Sequence, residues 1–124
     1  MDIIEQRIKK RNLVIDQAKK FAELLPQNTS AFLVGSYSRG DFNLWSDIDI
    51  AVIYRFIGNP LARLKSIDFP PGFEIIPLTP DEFQKMLVKK TPLYMEIKKF
   101  GVMLRDDLGL VKLMNSSLIG NESL

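Results

Sequence analysis

The apolar positions of this chain change period several times, and each change predicts an element. Over residues 2–25, Ile4, Ile8, Ile15, Ala18, Ala22 and Leu25 recur at helical intervals, with Val14 and Phe21 beside them. That stripe predicts one long amphipathic helix, stopped by Pro26. Its other face carries Arg7, Lys9, Lys10, Arg11, Lys19 and Lys20. "AFLV" (31–34) reads as a short buried strand running into Gly35-Ser36, and residues 36–42 predict one or two helical turns ended by Gly40. "NLWS" is then a loop, in which Trp45 is expected to pack or to form a lid. "DIDIAVIYR" (47–55) alternates at first and then turns almost wholly apolar, as a central strand does. A short helix is expected after Pro60. "GFEIIPL" (72–78) is a third strand, with Pro77 assigning its end to a sheet edge or a strand exit.

The second half is punctuated by helix caps. Thr79, Pro80 and Glu82 spell an N-cap, a first-turn proline and a capping box. Thr91 and Pro92 repeat the device, and Gly101 supplies a stop. "VMLR" (102–105) is a fourth strand, and the last ten residues, "NSSLIGNESL", read as a polar, fraying tail. The order predicts an α/β (α+β) fold: a small mixed sheet of about four strands with packed helices and a long N-terminal helix. One domain is expected over 1–114, with 115–124 as the tail.

Composition narrows the chemistry. With 124 residues, 46% apolar and 26% charged, the chain can bury a core without covalent staples. It has neither cysteine nor histidine. Disulfides, thiolate metal sites, the commonest general base and the commonest zinc ligand are therefore all excluded. Catalysis would rest on carboxylates, cations, hydroxyls or a hard metal held by oxygen. A net charge of +2 does not by itself argue for nucleic acid. The basic face of residues 7–20 reads as a solvated helix surface, with nucleic-acid binding as the alternative. No apolar run has the length of a membrane span, and the N-terminus lacks a signal-peptide core, so no membrane partner and a cytoplasmic location are expected.

The segment "GSYSRGDFNLWSDIDIAV" (35–52) concentrates the chemistry. In a strand, i and i+2 side chains share a face with Cα atoms roughly 6.6 Å apart, so Asp47 and Asp49 would project together. Carboxylates at that spacing can straddle two magnesium ions about 3.5–4 Å apart. Magnesium usually accepts one or two carboxylates and completes its shell with substrate phosphates. Empty, such a pair repels by about 1–4 kcal/mol at ~4 Å. Read alone, Asp-x-Asp could equally be a solvated strand start. Gly35-Ser36 sits where a strand turns into a helix; the bend can approach a phosphate, or Ser36 can simply cap the helix. Arg39 can pair with a phosphate or form a structural ion pair. Ser46 can hold the turn before Asp47.

The full pattern, Gly-Ser-x-x-Arg-Gly, five residues, then Ser-Asp-x-Asp and an apolar strand, would arise by chance about once in 10⁸ start points. It resembles the nucleotidyltransferase superfamily related to DNA polymerase beta, and most closely its small stand-alone members, the minimal nucleotidyltransferases. The resemblance covers about residues 31–106. It implies that Gly35 and Ser36 face the nucleotide and that Asp47 and Asp49 bind magnesium, two ions being expected; Arg39 and Ser46, read from their positions beside these residues, are the further nucleotide-binding candidates. It further implies a third carboxylate from a neighbouring strand; Glu74 matches, where the family more often has Asp, and Asp68 is the rival. The implied reaction is attack of a hydroxyl on the α-phosphate of a nucleoside triphosphate, with ATP as donor. No appended acceptor domain is expected, so the resemblance also implies a partner, either a HEPN-like protein in a toxin–antitoxin module or a second copy. The alternatives are a binding antitoxin with a vestigial nucleotide site and a nucleic-acid-binding domain.

Overall fold

A computed structural model describes residues 2–122, with side chains described through Ser116. The elements are α1 (Ile3–Glu23), β1 (Ser30–Val34), α2 (Gly35–Arg39), β2 (Ile48–Ile53) and α3 (Pro60–Lys65). They continue with β3 (Phe73–Leu78), α4 (Pro80–Lys89), α5 (Pro92–Phe100), β4 (Val102–Asp106) and α6 (Leu110–Glu122). The strands form one sheet in the order β3-β2-β1-β4. β1 is antiparallel to both β2 and β4, whereas β2 and β3 run parallel, so the sheet is mixed as expected.

The strand alternation divides the core into two layers. Leu33, Ile50, Val52 and Ile75 face Val14, Ala18, Phe21 and Ala22 of α1. Phe32, Val34, Ala51 and Ile53 face Phe83 of α4, Tyr94 and Ile97 of α5, and Leu110 and Met114 of α6. β2, covered on both sides, is the apolar central strand its sequence predicts. β3 lies at the edge, which explains how it accommodates Pro77.

Caps fix several element boundaries. Thr79 and Glu82 form the predicted capping box at α4, and Asn59 caps α3 by accepting from Ala62 N–H at 2.9 Å. Arg105 joins β4 to the end of α1, donating to the carbonyls of Ala22 and Leu25 at 3.0 and 2.7 Å.

Three expectations change. The apolar stripe of α1 is buried only in its second half: Ile4 is 70% and Ile8 57% exposed, because the first turns extend past the sheet. β2 stops at Ile53, short of the expected Arg55. Where a polar tail was expected from residue 115, α6 continues to Glu122; residues 123–124 lie outside the described part. The start of α6 is set by Asp106, whose carboxylate accepts from Leu110 N–H at 2.8 Å, Val111 N–H at 3.0 Å and Ser30 Oγ–H at 2.7 Å. That cap lies far upstream of the tail, out of reach of a local composition argument.

Candidate active site

Register brings the acidic residues together. In the parallel β2–β3 ladder, Asp49 lies directly opposite Glu74. Both occupy the sheet face of Ala51, Ile53, Ile76 and Leu78, which is the α4–α6 side. Asp47 is exposed, immediately before β2, and Glu74 is exposed on the edge strand rather than turned inward. Asp49 is partly covered, and its Oδ1 is buried with no hydrogen-bond partner.

That burial has an electrostatic consequence. The Asp49 carboxyl is pushed up to about 6, first by desolvation, then by the charge of Glu74 and contact with its carboxyl, then by the charges of Asp47 and Glu96. Acidic groups from β2, its entry loop, β3 and α5 thus act on one point. Among the described residues, no three of them close tightly enough to enclose a metal ion unaided. Magnesium rarely requires that, since substrate phosphates complete its shell.

Gly35 forms the opposite wall. Its φ of +75° lies in the left-handed region, and a Cβ there would sit 3.0 Å from Asp49 Cγ and overlap Oδ2. Only glycine allows both the bend and this approach. Ser36 follows the bend, but it does not cap α2; Val34 occupies the cap position with no side-chain bond. Ser38 instead ties the turn, donating from Oγ to the Gly35 carbonyl at 2.8 Å.

The other expected residues divide. Arg39 is ion-paired with Asp41 at 3.2 Å and with Glu96, the structural alternative for this side chain. Ser46 holds the entry loop, its Oγ accepting from Asn43 N–H at 2.9 Å, so it orders the approach to Asp47. Trp45 is 88% exposed, which overturns the packing expectation; its loop points the ring into solvent. Asp68 lies with Phe21, Phe69 and Phe73 around a cavity of about 620 Å³ on the α1 side of the sheet. Asp68 is not brought to Asp49, and Glu74 is.

Three contributors escaped the sequence reading. Glu96 comes from α5, and nothing in "LYMEIKK" marks it. Arg7 and Arg11 of α1 bond the backbone of residues 37–42. Their spacing of four, placing both on one helix face, was the available signal.

These residues suit a hard divalent cation. The donors are all oxygens, and one buried carboxylate oxygen is unpartnered.

Two comparisons with known proteins bear on the chain. The family model described as "Nucleotidyltransferase domain" matches residues 14–71, which include Gly35, Ser36, Asp47 and Asp49 but stop before Glu74. Among solved structures, a Sulfolobus solfataricus protein provisionally assigned as a nucleotidyltransferase is similar, with 23% identity and a TM-score of 0.50. The match covers 81% of this chain and 83% of that one, and it shows a shared fold. No curated protein matches. The family match is thus confined to residues 14–71, and the structural likeness is one of fold.

Proposed function

We infer that this chain is a magnesium-dependent nucleotidyltransferase that moves a nucleoside monophosphate, AMP from ATP, onto a hydroxyl of a partner protein, as in a toxin–antitoxin pair. The observation that carries the reading is the buried, unpartnered Asp49 Oδ1, set in register with Glu74 and faced by Gly35. A protein that leaves a carboxylate desolvated beside another carboxylate accepts a cost that a cation would relieve.

Asp47, Asp49 and Glu74 would hold the ions. The chemistry such ions would supply there is neutralisation of triphosphate charge and a lowered pKa for the attacking hydroxyl. Gly35 lets the phosphate chain pass close to the backbone, and the Ser36 hydroxyl is free of any local capping role and can donate to a phosphate oxygen. Glu74, exposed at the sheet edge, is open to an acceptor arriving from outside and can take the proton of its hydroxyl. The hydroxyl oxygen then forms a bond to the α-phosphorus as the bond to pyrophosphate breaks. Arg39 supports the wall through Glu96 and would reach phosphate only by exchanging partners.

Two observations favour a second reading. The longer Glu74 and the open arrangement of acids suit a protein that retains the fold and binds its partner without transfer. Incubation with ATP labelled at the α-phosphate, magnesium and the product of the adjacent gene tests both. Label on that partner, lost in Asp49→Asn, supports transfer; stable complex formation without label supports the binding antitoxin.

A further inference from the structure

The basic face of α1 looks like a surface for polyanions, yet two of its cations are already engaged. Arg11 donates from Nε to the Tyr37 carbonyl at 2.7 Å and from Nη2 to the Ser38 carbonyl at 3.1 Å. Arg7 donates from Nη2 to the carbonyls of Gly40 and Phe42 at 2.9 and 3.0 Å. The Arg7 guanidinium also lies 4.2 Å from the centroid of the Phe42 ring, which stacks on Tyr37 at 4.5 Å.

These acceptors are the backbone of α2 and the segment just after it. α2 has five residues, too few to be stable alone, and its last carbonyls need partners. The clamp is itself anchored, because Val14, Ala18, Phe21 and Ala22 fix the rest of α1 in the core. Any displacement of residues 37–42 reaches the bend directly. Gly40 and Asp41 N–H donate to the Ser36 carbonyl at 2.8 and 3.1 Å, and Ser38 Oγ donates to that of Gly35.

We propose that Arg7 and Arg11 are positioning residues of the nucleotide site: they clamp residues 37–42 to α1 and thereby hold Gly35 against Asp49. The proposal rests on the reading of the Asp49–Glu74 cluster as that site. It assigns these two cations to the chain's own backbone instead of to nucleic acid. A lysine cannot replace Arg11, because one ammonium does not reproduce a planar fork whose Nε and Nη2 meet two successive carbonyls.

The test uses the full chain with Arg7→Ala, Arg11→Ala, Arg11→Lys and a Lys9→Ala/Lys10→Ala control. Each is followed by circular dichroism, by the Gly35 amide resonance, and by calorimetric titration with ATP and magnesium. The arginine variants are expected to keep their helix content, shift the Gly35 resonance and raise the ATP Kd about tenfold or more, as misplacement of a binding wall does. Arg11→Lys is expected to behave like Arg11→Ala, and the lysine control like the parent. A merely structural role would lower the melting temperature and leave the Kd of the folded protein unchanged, overturning the proposal. An unmoved Gly35 resonance, or equal weakening by the lysine control, would also overturn it. If the parent chain binds no ATP, the transferase reading fails separately, and the Gly35 resonance alone decides whether the clamp holds the bend. Should Arg11→Ala not fold, the more exposed Arg7→Ala carries the same comparison.

Discussion

Replacing Asp49 with asparagine should stabilise the metal-free protein, an unusual expectation for a half-buried residue at a strand start. The folded carboxyl titrates at about 6 against 3.8 for an unperturbed aspartate. A raised folded pKa means that the folded state binds the proton more tightly. Stability is therefore favoured at low pH, falls as pH rises from about 4 to about 6, and carries the full penalty above that. At ~1.36 kcal/mol per pH unit, the difference corresponds to about 3 kcal/mol at most. Solvent screening of a partly exposed group reduces this to ~1–2 kcal/mol. The asparagine amide cannot ionise, so Asp49→Asn should gain about that much at pH 8, roughly 4–8 °C for a chain of this size. At pH 4 the gain should nearly vanish, since the native carboxyl is then protonated. Urea or thermal unfolding in EDTA at both pH values provides the measurement. A loss of stability at pH 8, or a difference independent of pH, would refute the electrostatic argument and mark Asp49 as a structural residue.

Other substitutions test the walls and caps. Gly35→Ala should cost about 2 kcal/mol or more in urea unfolding, from a positive φ and overlap with Asp49; parental stability would show that the bend relaxes freely. Glu82→Ala should cost ~1–2 kcal/mol, because Glu82 Oε1 accepts from Thr79 N–H at 2.8 Å and Arg63 Nη1 at 2.6 Å. The Thr79 N–H, followed by Arg63, holds the Glu82 pKa below the usual range. Its contribution should thus persist at neutral pH and disappear as pH falls through that lowered value. Trp45→Ala should change stability by less than ~0.5 kcal/mol, given 88% exposure; a larger loss in the same assay would mean that the loop packs in solution.

The caps and the strand pattern were legible because their causes are local. Thr79, Pro80 and Glu82 lie within four residues, and the apolar run of β2 reflects burial on both faces. The Asp47–Asp49 motif was legible for the same reason. What stayed hidden depends on register or on distant partners. The placement of Glu74 opposite Asp49 follows from parallel pairing, which the sequence suggested only through family resemblance. Glu96 acts from α5, Arg7 and Arg11 from the other side of the sheet, and Asp106 starts α6 from the end of β4. The exposure of Ile4 and Ile8 was also invisible, because periodicity shows which face of a helix is apolar but not how far the underlying sheet extends.

The most direct test of the central claim is a calorimetric titration of ATP into the parent chain and Glu74→Gln, with magnesium and then with EDTA. Cooperation of Asp47, Asp49 and Glu74 through a cation predicts binding in the parent that requires magnesium and is strongly weakened in Glu74→Gln. Binding that is indifferent to magnesium, or equal in the two proteins, would contradict it.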